Sequence, residues 1–139
     1  MPRANDADKI AFSSDTRSTL AVAWANPPYY HAGFANRGTA GYIYGGTGAS
    51  AEVAGRAIKV QFSTDTFSLL GLRNIGTGEA KSGCASYDQR YALLAGGETP
   101  GRPDWTSTFS YSTETESFLA AKLQNGRRDI CSIDDSGAY

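Results

Sequence analysis

Few side chains in this sequence can do chemistry, and their spacing argues against most reactions. His31 is the single histidine. With no second histidine and no cysteine beside it, it does not supply the ligand set of a zinc site. A Ser-His-Asp relay would have to be built on this one residue, so His31 reads as a surface or interface histidine next to Tyr29 and Tyr30. Cys84 and Cys131 are the only cysteines and form no C-x-x-C pair. Two cysteines make no disulfide framework, and both read as small buried side chains. The run Gly45-Gly46-Thr47-Gly48-Ala49-Ser50 has the look of a phosphate cradle. It lacks the lysine of G-x-x-x-x-G-K-[ST] and opens no βαβ unit, so it reads as a linker. Asp15, Asp65 and Glu114 suggest calcium only until their spacing is considered. A calcium loop gathers several oxygen ligands in one place, whereas these acids recur singly and far apart. Asp134-Asp135 reads as a solvated loop. No cofactor, metal or catalytic group is expected, and the chain reads as non-enzymatic.

Two segments offer contact chemistry instead. Pro27-Pro28-Tyr29-Tyr30 and Pro100-Gly101-Arg102-Pro103-Asp104-Trp105 are loops by composition, and loops on a rigid scaffold are where binding residues gather. Tyr29, Tyr30, His31, Arg102 and Trp105 are the candidate contacts. Exposed aromatic rings could stack on a sugar or anchor a protein partner. The alternative for Trp24 and Trp105 is packing between structural units.

The elements that would hold these loops follow from an internal repeat. Phe12-Ser13-Ser14-Asp15-Thr16, Phe62-Ser63-Thr64-Asp65-Thr66 and Tyr111-Ser112-Thr113-Glu114-Thr115 lie 50 and 49 residues apart. Ser18 and Leu20, Ser68 and Leu70, and Ser117 and Leu119 follow in register. Tyr42-Ile43-Tyr44-Gly45-Gly46 matches Leu93-Leu94-Ala95-Gly96-Gly97 after a one-residue insertion. A third copy runs through Arg127-Arg128-Asp129-Ile130-Cys131-Ser132 to Gly137-Ala138-Tyr139. Alternating apolar residues precede each box: Ile10 and Phe12; Ile58, Val60 and Phe62; Phe109 and Tyr111. Such alternation is the signal of a strand. Strands are therefore expected near 9–13, 58–63 and 107–112, each followed by a hairpin turn. Asp15-Thr16, Asp65-Thr66 and Glu114-Thr115 are the turn residues, because a short acid and a hydroxyl can bond nearby backbone N–H groups. Each copy reads as four short antiparallel strands. Phe12, Phe62 and Tyr111 are expected to be buried in equivalent sites, with a cost of about 3–5 kcal/mol for Phe62→Ala.

These boxes, the leucine that follows each, the central glycine and the Tyr-Ile-Tyr-Gly-Gly strand resemble the kelch motif. The spelling is closest to the kelch-like variety associated with bacteriophage structural and tail proteins. The resemblance implies an all-β fold of three four-stranded blades, forming a partial β-propeller. The copies span about 9–57, 58–106 and 107–139, behind a polar extension at 1–8. It also implies a virion component of tail, neck or capsid surface. The alternative is a lectin-like propeller that binds glycans through its Tyr and Trp loops.

Composition narrows the partners. A formal net charge of −1 gives no electrostatic footprint for nucleic acid or an anionic membrane. No apolar run approaches the roughly 20 residues of a membrane span. Residues 1–8 carry no apolar signal-peptide core, which points to a virion location if the chain is phage-encoded and otherwise to the cytoplasm. Closed propellers hold about 4–8 blades, and three units leave raw edges that invite pairing. The expectation is a homo-oligomer, with a dimer favoured and contacts in 9–20 and 125–139. Other virion proteins are further partners.

Overall fold

The computed structural model describes residues 7–11, 13–20, 32–44, 56–72, 84–87, 89–97 and 104–126. Among them every regular element is a strand: β1 (Ala7–Ala11), β2 (Thr16–Leu20), β3 (Ala32–Asn36), β4 (Ala40–Tyr44), β5 (Arg56–Gln61), β6 (Thr66–Leu72), β7 (Cys84–Tyr87), β8 (Tyr91–Ala95), β9 (Trp105–Ser110) and β10 (Thr115–Lys122). The protein is all-β. Its strands form three antiparallel sheets: the pair β1-β2, the meander β3-β4-β5-β6 and the meander β7-β8-β9-β10. No helix among the described residues is long and apolar enough to cross a membrane.

The three expected hairpins are present. Each has a tight loop whose last residue is the acid of the box, four residues long at 62–65 and 111–114. Asp15, Asp65 and Glu114 all take positive φ, at 49°, 53° and 53°. This left-handed region is unfavourable for most L-residues and is tolerated best by short polar side chains. The flanking hydroxyls bridge the strained residue in every copy. Ser14 meets Thr16 at 2.8 Å, and Thr64–Thr66 and Thr113–Thr115 each meet at 2.7 Å. The box is thus a repeated solution to one backbone problem.

The sheets group the strands differently from the sequence copies. β4 pairs with β5 across the linker at 45–55, and β8 pairs with β9. Each four-stranded sheet therefore takes the second half of one copy and the first half of the next. A sequence period fixes the spacing of equivalent strands but not which strand begins a sheet. Gly96 and Gly97 end β8 with φ of 60° and 145°, conformations that glycine adopts without strain. Gly45 and Gly46, the first such pair, lie outside the described residues.

The core lies between the two four-stranded sheets. On β4, Ala40, Tyr42 and Tyr44 are buried; on β8 and β9, Ala92, Leu94, Ser107 and Phe109 are. Phe34 of β3 packs at 5.2 Å from Phe109 and stacks on Tyr42 at 5.4 Å, measured between ring centroids. Phe109 also meets Tyr42 at 5.0 Å and Tyr44 at 5.7 Å. Tilted and edge-on ring pairs of this kind add about 0.5–1.5 kcal/mol each beyond burial.

One expectation fails. Tyr111 is buried, but its equivalent Phe62 is 43% exposed, so the three box aromatics do not occupy equivalent environments. Phe34 and Tyr42 cover Tyr111, whereas the sheet preceding Phe62 consists, among the described residues, of β1 and β2 alone. Phe12 lies outside the described residues.

Candidate functional site

Two arrangements outside the apolar core carry chemistry. The first joins the sheets. Lys59 of β5 reaches forward to Glu114 in the β9–β10 loop, at 2.6 Å. Tyr42 donates to the same Glu114 carboxylate at 3.2 Å. Lys9 of β1 reaches forward to Asp65 in the β5–β6 loop, at 2.7 Å. Lys9 and Lys59 are 50 residues apart, and Asp65 and Glu114 are 49 apart. The two ion pairs are therefore one contact made twice, from each sheet to the turn acid of the next. Beside the second, Glu116 is buried and accepts hydrogen bonds from Tyr44 Oη at 2.6 Å and Ser107 Oγ at 2.5 Å. Burying a carboxylate is costly unless its oxygens find donors, and the two hydroxyls supply them. Tyr111 completes the seam by donating to the Ala35 carbonyl oxygen at 3.0 Å.

The repeated acids thus have two roles. They turn the hairpin, as their spacing indicates, and two of them also lock one sheet to its neighbour. Thr16, Thr66 and Thr115 stay within their own turns. Among the described residues, no three His, Cys, Asp or Glu side chains gather as a metal cluster would require.

The second arrangement is a half-open cleft of about 310 Å³ at the hairpin ends, lined by Asn36, Gln89, Arg90, Tyr91, Tyr111 and Ser112. Three local conformations build it. Gln89 sits in the β7–β8 turn with φ 57°. Tyr91 opens β8 and is 41% exposed. The Tyr111 N–H donates to the Arg90 carbonyl oxygen at 2.9 Å, tying the β9–β10 loop to this turn. The wall offers two side-chain amides, a guanidinium, a serine hydroxyl and two tyrosines, of which Tyr91 is the exposed one. Such a set can hydrogen-bond a polyhydroxylated ligand while the ring packs on its apolar face.

The sequence-derived contacts fall elsewhere. Tyr29, Tyr30, His31 and Arg102 lie outside the described residues. Trp105 opens β9 rather than ending a loop, is half-buried and meets Phe118 edge-on at 5.3 Å. Composition does not mark Gln89, Arg90 and Tyr91, which lie in neither Pro-rich break. The available signal was the one-residue insertion between the copies, which puts six residues, Tyr87 to Ala92, where the first copy has five, Arg37 to Gly41. No family model matches the chain, and no curated protein is found to match it.

Proposed function

We propose that this chain is a non-enzymatic assembly module of the kelch-like propeller kind, whose sheets stack head to tail and associate with further copies of the chain. The observation carrying this reading is the doubled contact Lys9–Asp65 and Lys59–Glu114. A contact that recurs at the repeat period is one that a further unit can extend, as in repeat arrays where each unit binds only its neighbours. The resemblance of the boxes adds the setting, a structural component of a phage virion. Sedimentation equilibrium at micromolar concentration tests the reading. Self-association, with a dimer as the first species, is expected; a folded monomer of 14.7 kDa at all concentrations would contradict it.

The cleft favours a second reading, glycan recognition, carried by Arg90, Asn36 and the exposed ring of Tyr91. A glycan array should then give binding that Tyr91→Ala abolishes. An array without signal removes this reading and leaves the first intact.

A further inference from the structure

The end of β10 is anchored twice on Asp104. Lys122 pairs with its carboxylate at 3.3 Å, and the Leu123 N–H donates to its carbonyl oxygen at 2.6 Å. The anchoring stops there. Gln124 and Asn125 form an exposed bend. Among the described residues, neither the Asn125 side-chain amide nor the Gly126 N–H has a hydrogen-bond partner. From this juxtaposition we propose that Asn125 is a self-modification site. There the Gly126 backbone nitrogen displaces the side-chain amide, and isoaspartate and aspartate are left in its place. The proposal is independent of both the assembly and the glycan readings.

The bonds balance without any redox change. The Gly126 nitrogen loses its proton to solvent and attacks Cγ of Asn125. The bond from nitrogen to Cγ forms, the bond from Cγ to Nδ2 breaks, and the amide nitrogen leaves as ammonia. Water, the only co-reactant, then opens the cyclic imide. Cleavage between nitrogen and Cγ gives aspartate. Cleavage between nitrogen and the Asn125 main-chain carbon gives isoaspartate, with the backbone running through the side chain. Ring closure requires the nitrogen to approach Cγ closely, which a following residue without Cβ permits and a paired strand opposes. The other asparagines lack one requirement or another. Asn26 follows Thr16 by the same ten residues that separate Asn125 from Thr115, but it precedes Pro27, which has no N–H. Asn74 precedes β-branched Ile75, and Asn5 precedes Asp6. Asn36 is paired opposite Ala40 in the ladder, and its carbonyl oxygen accepts from the Thr39 N–H at 3.0 Å. Conversion at Asn125 adds one carboxylate and takes the formal net charge from −1 to −2.

The test ages the full chain beside a synthetic peptide of residues 120–128, at neutral and at mildly alkaline pH. Both are mapped by mass spectrometry, with isoaspartate scored by enzymatic methylation. Residue 125 should convert at least tenfold faster than any other asparagine, faster at the higher pH, and with isoaspartate among the products. Its rate in the folded chain should lie within tenfold of the peptide's, because the bend leaves both reacting groups unbonded. Gly126→Val should slow conversion at least tenfold in the chain, and the same change in the peptide gives that comparison without any demand on folding. A folded chain more than tenfold slower than the peptide overturns the proposal. So does a second asparagine converting as fast as Asn125, or conversion to aspartate with no isoaspartate.

Discussion

Tyr111 and Phe62 occupy the same position in successive repeats, and both donate their backbone N–H to the turn of the neighbouring strand, at 2.9 and 3.1 Å. Their surroundings nevertheless differ sharply. Tyr111 lies under Phe34 and Tyr42 and is 7% exposed; Phe62 lies over Gly41 and is 43% exposed. The opposite face shows the same contrast. Tyr42 is 3% exposed and its equivalent Leu93 is 43% exposed. A repeated side chain is therefore buried only where the next sheet in the stack reaches it. Local sequence sets the hairpin, and the neighbour sets the burial.

Three substitutions probe this comparison, in decreasing order of effect. Phe109→Ala removes the ring at the centre of the covered interface and should destabilise the fold by about 3–5 kcal/mol in denaturant titration. A loss below about 1 kcal/mol would mean the two sheets do not pack on each other as described. Next, Glu116→Ala leaves the Tyr44 and Ser107 hydroxyls buried without their acceptor, which should cost about 2–4 kcal/mol. Adding Tyr44→Phe should then cost little more, because the hydrogen bond is already gone; fully additive losses would show the two groups to be independent. Smallest are the ion pairs. Lys59 and Glu114 are about one-quarter exposed, while Lys9 and Asp65 are closer to one-half. Coupling in double-mutant cycles should be about 1 kcal/mol for the first pair and no more than about 0.3 kcal/mol for the second, with the second lost first as salt is raised. Equal coupling would erase the distinction between a covered and an uncovered interface.

How much of this was legible in the sequence depends on the range of the interaction. The F-S-x-[DE]-T boxes placed all three hairpins because their determinants lie within five residues: a left-handed acid and two hydroxyls that bridge it. The all-β class followed from the same boxes and the alternation around Ile58 and Val60. The phase of the sheets did not follow, since the links at 45–55 and 73–83 have the same length and either could have joined strands of one sheet. Phe62 was misplaced for a related reason. Its burial depends on residues of the preceding sheet, and its own five-residue box differs from that of Tyr111 only by Phe for Tyr and Asp for Glu. The Lys9–Asp65 and Lys59–Glu114 contacts carried a readable signal, two lysines and two acids at the repeat spacing. That signal gains meaning only when the sheets are seen to be stacked. The cleft at Gln89, Arg90 and Tyr91 was signalled by a departure from the repeat rather than by the repeat.

The most direct test of stacking as the source of burial compares Tyr111→Ala with Phe62→Ala under identical denaturant conditions. Tyr111→Ala should cost about 3–4 kcal/mol and Phe62→Ala less than about 1 kcal/mol. Equal losses at the two positions would contradict the account, because equivalent side chains would then be equally supported whether or not a neighbouring sheet covers them.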